Sequence, residues 1–515
     1  MKYWIFSAIF LIPFTLSSQI HQEFLGIPPV VGNETSVSIN PDDPDDIWLV
    51  FNNANVFHSL NGGDQWLKIE VNPKDGFYGD PVVKKAKNGL VYLAHLAKNP
   101  EKKWPEWFDC IVFERSSNGV EFHAISIGKN GKMQDKPWFS VDENAKSPYR
   151  NNIYLVWTEF DKYASNNPKD SSRIRFAFSE DLGATFSEPI IISDKGGNAL
   201  DDDGTAEGAT IGVLPNGFIY CVWNRYDSLW MDISYDGGRK WGKDVFLTRT
   251  PGGWDFENID GLIRTNGMPF VTVDKKGGLY VVYGARKYDK GDLDIFYLYS
   301  GNQGKTVQGP IKINQDETER DQFSPYADFD VNVGYPRVIW YDKRHSETGR
   351  FCHVYTAELK KSKVIKESNL SNIPVILHSK KTFYGDYIGF STSVGGGMAA
   401  VTDYSDEIQN TAIAMLSWNK KSPKSTDKGP VLEINRNGKS DSLLVIAAIP
   451  TEESFTFEIK SGRNTIVQKV FTTSSKIQPA DYQEFYISKS LLPTGLYTFS
   501  IRRKGILLKK NVWMN

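Results

Sequence analysis

Short apolar stretches recur along most of the chain, and each is followed by a turn rich in glycine, asparagine or aspartate. Seven of them align by eye, at 47–51, 90–94, 153–157, 219–223, 279–283, 337–340 and 398–401. All are rich in β-branched or aromatic residues and have the length of a strand. The pattern predicts an all-β protein built from repeated antiparallel hairpins.

One turn recurs with these strands and has the form Ser-x-Asp-x-Gly-x-x-Trp. In the clearest copy, Asp236 can accept hydrogen bonds from the following backbone N–H groups, and Gly238 can adopt the positive φ that closes the loop. Trp241 then begins the next strand with an aromatic plug. Three further copies begin at Ser59, Ser179 and Ser300, and a shortened one begins at Ser116. Repetition of one hairpin unit predicts a β-propeller, with seven blades favoured and six possible.

The seventh repeat ends near Trp418 without an obvious fourth strand. We predict that the segment 24–31 supplies this strand and closes the ring. A polar linker rich in lysine, serine and proline follows at 419–430. Beyond it, strands at 443–447, 455–459, 466–470 and 496–501 predict a small β-sandwich over 431–515. The predicted domains are therefore a propeller over 19–418 and this sandwich.

The N-terminus and the composition indicate the compartment. Residues 1–18 combine Lys2, an apolar run and small residues, as in a secretory signal peptide, and no other stretch approaches a membrane span. A net charge of −2 gives no reason to expect nucleic acid as a partner. The three cysteines, Cys110, Cys221 and Cys352, are odd in number and far apart, so we predict buried thiols rather than a disulfide framework. We expect a secreted or cell-surface protein.

Propeller topology indicates which loops form a site. The loops entering the innermost strands and those after the second strands share one face, whereas the Ser-x-Asp turns lie on the other face and are structural. Acids at the strand entries are Glu34, Asp80, Asp135, Glu207, Asp321 and Asp386. After the second strands come Glu159, Asp161, Arg225, Asp227, Arg286, Asp289, Asp342, Arg344, Asp403 and Asp406. We predict a carboxylate- and arginine-lined mouth.

Two interpretations of these acids stay open. Each one can simply cap backbone N–H groups or pair with an arginine of the next blade. As a set, like charges crowded at one mouth repel one another unless a cation or a substrate is present. A bound Ca²⁺ is therefore possible, although no loop spacing specifies one.

The repeated turns, known as Asp-boxes, and the blade pattern resemble the sialidase superfamily. The segment from Glu207 to Arg225, followed by the Ser234 turn, is similar to the sialidase segment that carries a catalytic glutamate. The resemblance implies a glycoside hydrolase with a tyrosine nucleophile and an arginine triad that binds the substrate carboxylate. Gly26 stands where that family has the first triad arginine, and seven repeats exceed its six blades.

Carried over residue by residue, the resemblance assigns Glu207 as the base and Arg225 as a triad member. Arg286 and Arg344 are its candidate partners. Tyr326 is the expected nucleophile with Tyr387 as the alternate, and Asp135 or Asp80 would be the general acid. The substrate-binding set predicted with them is Asp80, Asp342, Asp386, Tyr387 and Trp254.

The C-terminal stretch resembles the sorting domain of the type IX secretion system of Bacteroidetes, through Leu492-Pro-Thr-Gly495-Leu-Tyr497, Gly505 and Lys509-Lys510. This resemblance implies export across an outer membrane, with the secretion machinery as a partner. An ordinary accessory sandwich is the alternative.

Two functions fit these features of the sequence. One is an exported sialidase-like hydrolase of glycans or glycoproteins. The other is a non-catalytic binder of glycans or proteins, with Trp104, Trp107 and Trp254 as stacking platforms.

Overall fold

A computed structural model of the chain describes residues 21–25, 32–418 and 431–514, apart from short internal gaps. These gaps are 64–65, 257–258, 260, 287–290, 347–348, 350, 372–374, 377–382, 407–409, 436–441, 449–454, 462–463, 472–482, 493–494 and 504–505. The predicted signal peptide, the linker 419–430 and Gly26 lie outside the described residues.

The first strand and the first four sheets of the described chain follow one another in sequence order. The first strand is β1 (His21–Leu25). The first sheet holds β2 (Ser36–Asn40), β3 (Asp43–Phe51), β4 (Asn55–Ser59) and β5 (Leu67–Ile69). The second holds β6 (Val82–Lys85), β7 (Val91–Leu96), β8 (Ile111–Ser116) and β9 (His123–Ile127). The third holds β10 (Met133–Val141), β11 (Ile153–Phe160), β12 (Ser172–Ser179) and β13 (Ile190–Ile191). The fourth holds β14 (Glu207–Val213), β15 (Ile219–Asn224), β16 (Ser228–Ser234) and β17 (Val245–Arg249).

The same unit continues toward the linker. A small hairpin comes first, formed by β18 (Asp255–Phe256) and β19 (Thr265–Asn266). The fifth sheet holds β20 (Phe270–Val273), β21 (Leu279–Arg286), β22 (Leu293–Ser300) and β23 (Gln308–Lys312). The sixth holds β24 (Gln322–Asp330), β25 (Tyr335–Asp342), β26 (Phe351–Lys360) and β27 (Lys363–Asn369), with β28 (Val375–Ile376) pairing β26. The last three strands of this region are β29 (Gly389–Ser393), β30 (Gly396–Asp406) and β31 (Asn410–Trp418).

Sheet order makes this region a β-propeller. In each of the first six sheets the strands pair antiparallel in chain order, and the seventh has the order β29, β30, β31, β1. Across the described residues, the first strands contact one another in the order β2, β6, β10, β14, β20, β24, β29 and back to β2. The inner strands of each sheet are therefore packed between those of its two neighbours.

The N-terminal strand completes the last sheet. β1 pairs antiparallel with β31, with Phe24 opposite Ala414 and Leu25 opposite Ile413. It lies earlier than the predicted segment 24–31 and shares only these two residues with it. A strand from one end of the propeller thus pairs with a strand from the other end.

The Ser-x-Asp turns have the predicted hydrogen bonds and lie between the third and fourth strands of their sheets. The Oγ of Ser234 accepts a bond from Gly238 N at 2.9 Å, and Asp236 Oδ1 accepts one from Lys240 N at 2.8 Å. The shortened copy also forms, because Ser116 Oγ accepts from Gly119 N at 2.9 Å. Trp241 meets Phe176 of the preceding sheet edge to face, with 4.8 Å between ring centroids. The turns therefore join neighbouring sheets.

The predicted buried thiols are found, because all three cysteines are free and buried. After the linker, the described residues form two antiparallel sheets rather than Ser-x-Asp units. One contains β32 (Val431–Asn435), β33 (Ser442–Ala448) and β36 (Gln483–Ser488). The other contains β34 (Phe455–Ser461), β35 (Asn464–Phe471), β37 (Gly495–Arg503) and β38 (Ile506–Met514). The one helical element described is a 3₁₀ turn at Lys489–Leu491, so the described chain holds no helix able to cross a membrane.

The turn glycines give a test of this packing. A Cβ built on Gly238, at φ +90°, would lie 2.5 Å from Cζ of Phe176, whereas a Cβ on Gly89, at φ +88°, meets nothing within 4 Å. Gly89→Ala should therefore cost about 1 kcal/mol, from backbone strain alone. Gly238→Ala should cost about 1–3 kcal/mol more, because the ring must move. Thermal unfolding followed by circular dichroism measures both, and equal midpoints for the two variants would contradict the packing.

Candidate functional site

Strained backbone at the entries of the first strands directs charged side chains into the centre of the propeller. Glu34, Asp80, Lys136 and Ser324 have φ of 55°, 52°, 46° and 47°. In β10 the strand register shifts between Asp135 and Trp138. Such left-handed residues and bulges change the direction of side chains and are common beside functional sites.

Glu34, Asp80, Asp135 and Lys136 open onto a cavity of about 290 Å³ at the mouth predicted from the topology. Its charged lining residues are Glu34, Asp80, Asp135, Lys136, Arg264 and Asp386. Its aromatic lining residues are Tyr78, Trp104, Phe108, Tyr163 and Phe383. The cavity thus combines carboxyl groups, two cations and aromatic walls.

Lys136 is at the centre of the charged groups. Its Nζ lies 2.7 Å from Asp386 Oδ2, 3.6 Å from Glu207 Oε1 and 3.8 Å from Asp80 Oδ2. These three carboxyl groups come from three different sheets. Burial by itself lowers the pKa of Lys136, but the surrounding acids, Asp386 first among them, raise it well above the ordinary value. It therefore remains an ammonium ion.

Asp386 is the ionised carboxylate of the cavity. Burial by itself would raise its pKa, but the charges of Arg264 and Lys136 outweigh that effect and hold the pKa below the ordinary value. Arg264 Nη1 lies 3.1 Å from Asp386 Oδ1, and the guanidinium stacks over Phe383. Two cations thus fix one negative charge.

By contrast, the pKa is raised at three other carboxyl groups of the cavity, those of Asp135, Asp80 and Glu34. Burial raises the pKa of Asp135 to about 8, with Lys136 lowering it and Asp80 raising it. Burial and the nearby Glu34 raise the pKa of Asp80 well above the ordinary value, and Asp80 is hydrogen-bonded to Glu34. The pKa of Glu34 is also raised, first by burial and then by Asp386. At neutral pH this side of the cavity therefore retains protons that exposed carboxyl groups would lose.

Glu207 lies behind the cavity rather than in its lining. It is fully buried, and burial followed by the charge of Asp201 raises its pKa well above the ordinary value. Asp201 accepts a hydrogen bond of 2.5 Å from the hydroxyl of Tyr163, which lines the cavity. Glu207 is thus placed to support Lys136 and the Asp201 side of the wall.

Trp104 forms an exposed aromatic edge of the cavity. Its side chain is 56% exposed, and its ring meets Tyr163 edge to face at 6.2 Å. Trp107 is partly buried against Tyr78, with ring centroids 5.2 Å apart. Trp254 is fully buried and its ring lies 5.7 Å from Lys136 Nζ, so of these three tryptophans only Trp104 lines the cavity.

Several residues predicted for the site do lie together. Asp80, Asp135 and Asp386 line the cavity. Glu207 and Trp254 contact Lys136 from behind. Tyr387, predicted to bind the substrate, is buried and does not line the cavity; its hydroxyl donates to Pro81 O at 3.1 Å, next to Asp80.

The three predicted arginines do not converge on the cavity, and this expectation is corrected. Arg225 stacks on Trp230 of its own sheet at 4.6 Å. Arg344 is bound by Asp342, with 2.7 Å between Nη2 and Oδ2, and by Asp316. Asp342 therefore serves as an internal anchor instead of lining the cavity.

Arg286 and Tyr326 are also placed elsewhere. Arg286 donates from Nη1 to Gly291 O in its own hairpin. Tyr326 packs against Phe270, with ring centroids 4.7 Å apart, and near Trp138 at 6.0 Å. Burial raises the pKa of the Tyr326 hydroxyl above its ordinary value, which opposes its use as a nucleophile.

Neither cation of the cavity was predicted from the sequence. Lys136 follows a predicted acid directly, in Asp135-Lys136-Pro137, and that strand-entry position was the available signal. Arg264 comes from the longer connection that precedes β19, for which the repeat pattern has no equivalent. Among the described residues, no group of three or more histidine, cysteine or acidic side chains has the arrangement of a metal site, and the possible Ca²⁺ stays a prediction.

Comparisons with known proteins add a likeness of overall structure. No protein-family model matches the chain, and no curated protein matches it. An α-L-arabinanase of Penicillium chrysogenum, solved with arabinobiose, is similar at 15% identity and a TM-score of 0.44, covering 68% of this chain and 95% of its own. The NanB sialidase of Streptococcus pneumoniae is similar at 9% identity and a TM-score of 0.42, covering 74% and 82%. A protein of unknown function from Dyadobacter fermentans is similar at 13% and 0.43, covering 68% and 97%. At identities and TM-scores this low, the likeness says nothing about chemistry, which is inferred from the residues of this chain alone.

The raised pKa of Asp135 predicts a pH-dependent stability. The native carboxyl keeps its proton up to about pH 8, whereas an unfolded aspartate loses it near pH 4. The native state binds more protons between these values, so stability should fall as the pH rises through them. Asp135→Asn should flatten this fall, since an amide carries no titrating proton.

The measurement is the thermal midpoint between pH 5 and pH 9. Asp161→Asn is the control, because the pKa of Asp161 is lowered by Arg173 and Lys132 against the effect of burial. Its contribution is lost toward acid pH, so the alkaline slope should persist. Equal slopes in wild type and Asp135→Asn would contradict the assignment.

Proposed function

We propose that this protein is a glycoside hydrolase that acts at the Lys136 cavity. The observation that carries the proposal is the split between its carboxyl groups. Asp135, with a pKa of about 8, retains a proton at neutral pH, while Asp386 is held ionised by Arg264 and Lys136. Glycosidic bonds are cleaved by such a pair, one protonated and one ionised.

Each member of the pair has a role in this proposal. Asp135 donates its proton to the glycosidic oxygen as the bond to the leaving group breaks. The Asp386 carboxylate opposes the positive charge that develops on the sugar ring in the oxocarbenium-like transition state. Water then attacks the anomeric carbon, and the proton that it loses returns to Asp135 directly or through Asp80, which is hydrogen-bonded to Asp135.

The walls of the cavity favour a small sugar unit. Trp104 and Tyr163 offer apolar ring faces, as sugar-binding sites commonly do. A volume of about 290 Å³ is just below the usual range of ligand pockets, about 300–1,000 Å³. We therefore propose action on a terminal unit of a glycan or glycoprotein.

Exo-sialidase activity is the specific form of this proposal that the sequence suggested. It requires cations that bind the carboxylate of sialic acid. Of the arginines in the described chain, Arg264 lines the cavity, and its guanidinium already pairs with Asp386. Neutral glycosides are therefore tested beside sialosides.

Glycan binding without catalysis is the second candidate. It is favoured by the exposure of Trp104 beside carboxyl groups that are almost completely buried. In that case Asp135 serves only to shape the wall, and its replacement leaves binding unchanged.

We also propose export of the protein. The support is the N-terminal segment 1–18 and the C-terminal resemblance to a type IX sorting domain through Leu492, Gly495 and Tyr497. Mass spectrometry of protein recovered from the producing cells should find a mature chain that begins after Ser18. Recovery of the uncleaved chain in the cytoplasm would contradict the export.

The hydrolase proposal predicts turnover by the protein lacking residues 1–18. A panel of fluorogenic glycosides, neutral and sialylated, should contain at least one substrate, and Asp135→Asn should lower kcat by about 10²–10⁴-fold. Asp181→Asn, in a turn on the opposite face, is the matched control and should keep full activity. Failure on every glycoside, or full activity of Asp135→Asn, would remove the proposal.

The aromatic wall predicts a separate effect on substrate binding. Trp104→Ala should raise KM about tenfold, which is about 1.4 kcal/mol of lost contact, with kcat little changed. Tyr235→Ala is the control, since Tyr235 is similarly exposed, at 58%, on the opposite face. An unchanged KM in Trp104→Ala would show that this ring does not contact the sugar.

A further inference from the structure

We infer that Lys136 is the positioning residue of the cavity: together with the Arg264 guanidinium, its ammonium group keeps Asp386 ionised, and the protons of the cluster stay on Asp80 and Asp135. The catalytic consequence of this inference rests on the proposed function. The arrangement of charges itself belongs to the resting protein and can be measured without a substrate.

The distances order the carboxyl groups around Lys136. Asp386 lies 2.7 Å from its Nζ, whereas Glu207 and Asp80 lie 3.6 and 3.8 Å away. Electrostatic attraction weakens with distance, and water does not screen a buried pair. The nearest carboxyl group therefore gains most from the ammonium charge.

The backbone fixes the position of this ammonium group. Lys136 sits in the bulge of β10 at φ 46°, between Asp135 and Pro137. Its N–H donates to Asp135 Oδ1 at 2.9 Å. One bulge thus places a carboxyl group and an ammonium group side by side and directs both to the cavity.

Other charged groups around Lys136 set the balance of protons. Beyond its three carboxyl contacts and Asp135, the titratable and charged groups that influence the cluster are Glu34, Asp201, Arg264, Tyr78, Tyr163 and Tyr387. Six carboxyl groups thus face two cations. Full ionisation would leave buried negative charge unpaired, which is costly, so some of these carboxyl groups must hold protons.

The inference predicts the effect of removing the ammonium charge. In Lys136→Met every nearby carboxyl group should bind its proton more tightly, since an opposite charge within about 4–6 Å lowers a carboxyl pKa by about 1–3 units. Both limbs of the pH–activity profile should therefore move to higher pH by about 1–3 units. Lys136→Arg keeps the charge and should keep the profile within about half a unit.

Infrared spectroscopy tests the same inference without turnover. The carbonyl stretch of protonated carboxyl groups is followed against pH in wild type, and Asp135→Asn identifies the band of Asp135. In Lys136→Met the loss of this band should move to higher pH. Lys132→Met is the matched control, because Lys132 pairs with Glu159 and Asp161 of the same sheet outside the cavity and should leave the band unchanged.

A second variant, for which the opposite pKa shift is expected, tests the inference even if Lys136→Met does not fold. Asp386→Asn removes the negative charge that raises the pKa of Asp80 and frees the Lys136 charge for its other neighbours. Protonated carboxyl groups should then ionise at lower pH than in wild type. Unchanged titration in either folded variant would overturn the inference, whereas absence of turnover with these infrared shifts present would overturn only the proposed function.

Discussion

The site depends on the burial of one ammonium group among carboxyl groups from several sheets. A buried charge that loses its partner typically costs 3–5 kcal/mol, so Lys136 and Asp386 require each other. The remaining positive charge is too small to neutralise the other carboxyl groups, and burial keeps protons on Asp80 and Asp135. Lys136, together with Arg264, therefore divides a set of chemically similar acids into ionised and protonated members.

The propeller makes this arrangement possible because its first strands meet around one axis. Asp80, Asp135, Glu207 and Asp386 come from four different sheets, and each lies just before a first strand or within its first three residues. The Ser-x-Asp turns on the opposite face link neighbouring sheets through rings such as Trp241 on Phe176. Rigid packing on that face leaves the strand entries free to adopt strained backbone at the mouth.

Similar residues at equivalent loops have different tasks in this fold. Asp342 and Arg344 form an ion pair within one sheet, and the aromatic ring of Tyr355 lies 4.0 Å from the guanidinium carbon of Arg344. Arg264, from an irregular connection, supplies the guanidinium of the cavity instead. Function is thus assigned by what a side chain reaches, and the resemblance to sialidases that placed the triad on Arg225, Arg286 and Arg344 could not show this.

The sequence by itself determined the propeller, its repeated turns and the face that carries the acids, since strand period and turn chemistry are local properties. It also indicated Asp80, Asp135 and Asp386, because a strand entry has a fixed place in a blade. Only the tertiary structure decided that Lys136 and Arg264 are the partners of Asp386. It also decided that Arg344 and Tyr326 lie outside the cavity. Charge pairing and burial depend on residues hundreds of positions apart, such as Lys136 and Asp386, and no local pattern records their distance.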